Sequence, residues 1–144
     1  MGMDCTIDSY SLIENHLPNI PVPHDCVITE ISLQDAWLVL SFENDISLYD
    51  SIQSIHPDVR TLVMKIHLVD EEDIELLAHE KRKYETVYVE RKPKRLFDLA
   101  KKSWQLEYLY HKVAYGSIQL ELCGDTYYIV RLYADRVIME WRGR

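Results

Sequence analysis

A mainly β domain, at the margin of α+β, is the fold class that the sequence predicts, and three observations support this prediction. Apolar residues alternate with polar ones over most of the chain after residue 26, as in strands with one buried face. Short clusters of Gly, Asn and Asp separate these stretches. The 144 residues are 47% hydrophobic and 28% charged, which suits one globular core. We expect about seven or eight antiparallel strands in a two-layered sandwich or open barrel, with one or two short helices.

The first 23 residues differ from the rest of the chain in composition. They are polar and contain Pro18, Pro21 and Pro23. Prolines at this density interrupt regular secondary structure. We therefore predict an N-terminal arm over residues 1–23 with one helical turn, followed by a single β-rich domain over residues 24–144.

A β-hairpin is predicted directly after this arm. Apolar residues alternate on both sides of residues 34–36, where a tight turn is expected. The residues expected to share one face are Val27, Thr29, Ile31 and Leu33 before the turn and Leu38, Leu40 and Phe42 after it. Residues 43–59 are interpreted as a long excursion with one irregular strand at 46–49.

The middle of the chain predicts two strands and two helices. Residues 60–69 alternate and predict a strand. Residues 70–84 begin with five acids in six positions, which stabilise a helix N-terminus, so a short helix is expected there. A strand is predicted over residues 84–92, and a helix of about two turns begins at Pro93. The packing stripe expected on that helix is Leu96, Phe97, Leu99 and Ala100.

Four strands in succession are predicted for residues 104–141, which indicates a meander. The glycines and aspartates between them mark turns, and Gly124 is expected to adopt a positive φ. The aromatic residues expected to pack inside are Trp104, Tyr108, Tyr128 and Trp141, whereas Tyr127 and Tyr133 lie on the opposite face of their strand.

Charge is distributed unevenly along the chain. Residues 1–80 carry sixteen Asp and Glu against two Lys and Arg, and residues 81–144 carry fourteen Lys and Arg against eight Asp and Glu, giving −14 and +6. The two regions could pair within one molecule or across a homodimer, or each could serve a different partner. The basic cluster Lys81, Arg82, Lys83, Arg91, Lys92, Lys94 and Arg95, with Tyr84 and Tyr88, superficially resembles a nucleic-acid surface. The overall charge of −8 would repel a polyanion, so no nucleic-acid binding is predicted.

His24 and Asp25, just before the hairpin, are the candidates for chemistry. We interpret the pair as an anchor for backbone groups at the start of the strand. The only nearby metal ligand is Cys26, which is too few for zinc, so we predict no metal and no cofactor. The sequence has no GxSxG motif and no glycine-rich phosphate loop. If the protein were an enzyme, its site would be expected near His24, Asp25 and Cys26, with His111 as a distant partner.

The compartment follows from cysteine usage and hydropathy. Three widely spaced cysteines do not suit a disulfide framework, and no apolar run is long enough to cross a bilayer. We expect a cytoplasmic protein that does not bind membranes.

Two segments, HDCVITEISLQDAWLVLSF and YYIVRLYADRVIMEW, resemble small bacterial β-rich domains of unknown function, some of them grouped with toxin-immunity proteins. The resemblance implies a single-domain protein that acts by binding. We therefore expect a non-enzymatic protein-interaction module whose acidic face, built from Glu30, Asp35, Glu43 and Asp45, binds a basic protein partner. Two alternatives stay open: a small-ligand-binding domain with a Tyr-lined pocket, and an enzyme with a dispersed site near His24.

Overall fold

A computed structural model describes residues 5–101 and 105–143 of the chain, which are mainly β with a few short helices. The strands are β1 (Cys5–Ser11), β2 (Val27–Gln34), β3 (Trp37–Phe42), β4 (Val59–Leu68), β5 (Ile74–Lys81), β6 (Thr86–Arg91), β7 (Leu106–Ala114), β8 (Ser117–Cys123) and β9 (Tyr127–Gly143). The helices are the 3-10 helix η1 (Ile46–Leu48), the α-helix α1 (Asp50–Gln53) and the 3-10 helix η2 (Pro93–Lys101). The predicted fold class is confirmed.

The described strands pair antiparallel in a sheet that closes on itself. The order is β4-β3-β2-β7-β8-β9, and β9 also pairs with β4. Strands β5 and β6 extend from the first half of β9, and β1 pairs with its second half. Only two residue pairs join β2 to β7, so the barrel is partly open there. Helix η2 lies beside the unpaired part of β2.

Strand β9 organises the whole sheet because its two halves have different neighbours. Residues 127–133 pair with β8 and β5, and residues 136–142 pair with β4 and β1. A register shift near Asp135 separates the halves, and the buried face changes from even-numbered to odd-numbered residues there. The sequence predicted two strands here, but the structure has one long strand with a bulge, as barrels often use to bend.

The buried residues form one hydrophobic cluster inside this barrel. The strand side chains in this cluster are joined by Leu96 and Leu99 of η2, Ile46 of η1 and Ile52 of α1. The predicted interior positions of Tyr108, Tyr128 and Trp141 are confirmed, and Trp104 lies outside the described residues. Tyr127 and Tyr133 are exposed, as predicted.

Three secondary-structure predictions were wrong. Residues 5–11 form β1 rather than part of an irregular arm, because they pair with β9 along their whole length. Residues 74–81 form β5 rather than a helix: Ile74, Leu76 and Ala78 alternate inward, and the acids before them form a turn. Residues 46–48 form η1 rather than an irregular strand, and after the extended Tyr49 the chain forms α1.

Because of bulges in β2 and β7, some residues face inward that strict alternation had not predicted to do so. In β2 a register shift between Ile28 and Glu30 buries Ile28 and exposes Thr29, which had been assigned to the same face as Ile31. In β7 a similar shift exposes Tyr110 and buries the next residue, His111. The positive φ predicted at Gly124 occurs instead at Gly116, with φ of 72°.

The turn between β2 and β3 gives a simple stability prediction. Asp35 and Ala36 have φ values of 50° and 68°, the left-handed conformation that glycine adopts without steric cost. We expect Ala36→Gly to raise the free energy of unfolding by about 1 kcal/mol, measured by urea denaturation. Ala114→Gly, in β7, is the matched control and should lower it. An equal loss from both variants would contradict the strain in this turn.

Candidate protein-interaction surface

Three turns that are distant in sequence meet at one end of the barrel. The Leu68 amide donates to the Ala36 carbonyl at 2.8 Å, which joins the β2–β3 turn to the end of β4. The Val69 amide donates to the Tyr133 carbonyl, and the Ala134 amide donates to the Gly116 carbonyl, both at 3.0 Å. These bonds fix the β2–β3, β4–β5 and β7–β8 turns beside the middle of β9.

Large apolar side chains are exposed at this end. Val69, Tyr115 and Tyr133 are 66%, 68% and 57% exposed. Ile13, at 51%, lies next to them, because the carbonyl of the preceding residue, Leu12, accepts from the Gly116 amide at 2.8 Å. Exposed apolar residues are ordinary when single, but a group of them commonly marks a binding surface.

Acidic side chains surround this apolar group. Asp35 and residues 70–73 are all exposed, and they form no ion pair with any residue that the structure describes. The β4–β5 turn is held by the Asp70 carboxylate, which accepts from the Glu72 amide at 2.9 Å. We call Asp35, Val69, residues 70–73, Tyr115 and Tyr133 the end surface.

A cavity of about 350 Å³ opens beside the end surface and shares Asp73 and Tyr133 with it. Arg131 lies in its wall and is held rigidly, because its Nη1 donates to Glu75 at 2.8 Å and its Nε to Gln119 at 3.0 Å. The cavity is large enough to accept a side chain of a partner.

The four acids predicted to bind a partner do not form one face. Asp35 lies on the end surface, but the Glu43 amide donates to the Val27 carbonyl at the opposite end of the hairpin, about 23 Å away by the rise of a strand. Glu43 accepts the Tyr49 hydroxyl at 2.6 Å, and Asp45 precedes η1. Glu30 lines a groove beside η2. Residues 70–73 were not predicted to belong to a partner-binding surface, because their sequence pattern predicted the start of a helix.

The His24 ring contacts a backbone carbonyl, as interpreted from the sequence, whereas Asp25 bonds the backbone through its own amide and not through its carboxylate. The His24 Nδ1 atom lies 2.6 Å from the Leu109 carbonyl oxygen, and the Asp25 amide donates to the Tyr108 carbonyl at 2.7 Å. The Asp25 carboxylate lies 3.4 Å from His24 Nε2. Burial, with the charges of Glu43 and Asp25, raises the pKa of Cys26 to about 12, so its thiol stays protonated.

His111 is engaged on both sides of its ring. Its Nδ1 lies 2.5 Å from the Tyr108 hydroxyl oxygen and its Nε2 lies 2.9 Å from the Ile20 carbonyl oxygen. The structure therefore uses this histidine to tie residue 20 to β7. Among residues 5–101 and 105–143, no group of three His, Cys, Asp or Glu side chains is placed to hold a metal ion.

Three tyrosines line cavities in different parts of the molecule. Tyr128, Tyr133 and Tyr110 each line a different cavity.

In the described part of the chain, no helix has the length and apolar character needed to cross a membrane. A scan against protein families and searches of curated proteins and of solved structures find no match for this chain.

Proposed function

We propose that this protein is a non-enzymatic interaction module that binds a basic protein through the end surface. The observation that carries the proposal is the group of exposed apolar side chains set among exposed acids at one rigid end of the barrel. Protein interfaces commonly combine an apolar, aromatic centre with a polar rim. Here Tyr133 and Val69 supply the centre and residues 70–73 supply the rim.

The negative charge of the end surface indicates which class of partner it would bind. Five acids without ion pairs to described residues create a negative potential that attracts a basic surface and accelerates encounter. A basic toxin is the partner class that the resemblance to immunity-related domains suggests. Binding at the end surface would then block the toxin by covering its basic region.

A binding assay with the partner purified from cells tests this proposal. We expect Tyr133→Ala to raise Kd about tenfold or more, because central aromatic side chains dominate interface energies. The variant that combines Asp70→Asn, Glu71→Gln and Glu72→Gln should slow association and weaken its dependence on salt. Surface plasmon resonance at low and high salt gives both quantities.

The matched control combines Glu85→Gln, Glu90→Gln and Asp98→Asn, which removes the same charge from exposed positions outside the end surface. This control should bind nearly as wild type. Equal losses from the two triple variants would exclude a specific role for the end surface. Self-association that disappears in the first triple variant would instead identify a second copy of the chain as the occupant, and the proposal of a foreign partner would fail.

A further inference from the structure

A second cavity, of about 230 Å³, lies between β5, β9, η2 and the β8–β9 turn, away from the end surface. Its apolar wall consists of Leu76, Ala78 and Leu99, which are all buried. Arg91 and Arg95 line the same cavity, as does Asp125, whose carboxylate accepts a hydrogen bond from the Tyr128 hydroxyl. Small-molecule sites have this composition, an apolar wall with a few polar groups that converge on it.

The two arginines come from different elements and face the same space. Arg91 is the last residue of β6, and Arg95 lies in the first turn of η2. The backbone amide of Arg95 donates to the Lys92 carbonyl at 3.0 Å. Burial and the hydrogen bond to Asp125 raise the pKa of Tyr128, and the positive charges of Arg95 and Arg91 oppose that rise. Arg91, Arg95 and Tyr128 all line the same cavity.

The guanidinium groups retain capacity for a further anion. Arg91 Nη2 donates to Glu80 at 3.1 Å, which uses part of its planar set of donors. Arg95 forms no ion pair with any residue in the described ranges. A groove that shares Arg91 and Arg95 with the cavity is lined by four basic residues and one acid, and its net positive charge would draw an anion towards the cavity; the lining residues are Glu90, Arg91, Lys92, Lys94 and Arg95.

We propose that this cavity binds a small organic anion whose apolar body rests on Leu76, Ala78 and Leu99 and whose carboxylate or phosphate group is held by Arg95 and Arg91. Guanidinium groups bind both anions through paired, charge-assisted hydrogen bonds. The volume limits the apolar body to about one ring, since drug-sized ligands occupy cavities of about 300–1,000 Å³. The site is separate from the proposed protein interface.

Isothermal titration calorimetry with four probes tests the ligand class: phenyl phosphate, benzoate, benzyl alcohol and inorganic phosphate. We expect phenyl phosphate or benzoate to bind at least about tenfold more tightly than both benzyl alcohol and inorganic phosphate, because the site rewards an anion and an apolar body together. Whichever of phenyl phosphate and benzoate has the lower Kd identifies the anionic group that the site prefers. Equal binding of inorganic phosphate would indicate only an ion on a basic surface and would overturn the proposal, as would no binding of either aromatic anion.

Two variants locate the binding. Arg95→Gln should weaken binding of the tighter-binding aromatic anion at least about tenfold. Arg82→Gln, the same substitution at an exposed position that lines neither the cavity nor the groove, should leave Kd within about twofold. Equal weakening by both variants would mean that only long-range charge matters. Ala78→Leu should fill the cavity and abolish binding, with thermal unfolding used to verify that the variant folds. Retained binding in a folded Ala78→Leu variant would also exclude this cavity.

Discussion

Replacing Trp141 by alanine is expected to lower the free energy of unfolding by about 3–5 kcal/mol. The indole is completely buried, and it lies on β9 where β4 and β1 pair on either side, opposite Leu62 and Thr6. Its Nε1 donates to the Asp8 carboxylate at 3.0 Å, so the side chain also holds β1. Removing it would leave a cavity at the junction of three strands and an acceptor without its donor.

Urea denaturation followed by far-UV circular dichroism measures this loss. Trp141→Phe is the volume control and should cost less, because it keeps an aromatic ring in the core. Asp8→Ala removes the acceptor of this hydrogen bond, together with its 3.7 Å contact to His56 Nε2, and should cost about 1 kcal/mol. A loss below about 1 kcal/mol for Trp141→Ala would show that the second half of β9 does not depend on this packing.

The buried pair of Tyr108 and His111 predicts the second large effect. A carbonyl oxygen can only accept, so the proton of His111 lies on Nε2, towards Ile20, and Nδ1 accepts from the Tyr108 hydroxyl. Tyr108→Phe would leave Nδ1 buried without a donor. We expect this variant to lose about 1–3 kcal/mol in the free energy of unfolding, measured by urea denaturation at neutral pH.

The same pair makes stability depend on pH. Burial lowers the pKa of His111 in the folded protein, although the hydrogen bond to Ile20 partly opposes this shift. The unfolded chain therefore binds more protons as the pH falls below about 6.5, the ordinary pKa of histidine. The stabilisation is fully present above that pH and is lost as the pH falls towards the folded-state pKa.

A pair of denaturation series at about pH 7 and about pH 5 measures this dependence. His111→Phe removes the titrating group and fills its volume, so its stability should fall less than that of wild type between the two pH values. His16→Gln, at an exposed position, is the matched control and should keep the wild-type dependence. Identical dependence in wild type and His111→Phe would assign the effect to other groups.

The uneven charge of the sequence corresponds to two separate places in the structure. Residues 70–73 lie before β5, and the basic residues lie at and just after its other end, about 23 Å away by the rise of a strand; these are Lys81, Arg82 and Lys83. The basic cluster has one ion pair among the described residues, Arg91 with Glu80 inside its own hairpin. The acids of the end surface and the arginines of the proposed anion cavity therefore do not neutralise each other.

The sequence by itself determined the class of fold and several elements. Period-two alternation predicted β3, β4 and β8 correctly, and Pro93 with its apolar stripe predicted η2, because these patterns record local burial. At β5 the prediction was wrong, because the acids before the strand have the composition typical of a helix N-terminus. It also failed at the bulges in β2, β7 and β9, where one extra residue reverses the buried face.

Only the tertiary structure decided where the candidate sites lie. Asp35, Val69, Tyr115 and Tyr133 come from separate parts of the chain and meet through hydrogen bonds between distant strands. Arg91 and Arg95 face one cavity because η2 follows β6 and packs near β5. Alternation specifies which side of a strand is buried but not which strand lies beside it, because pairing depends on contacts far apart in sequence.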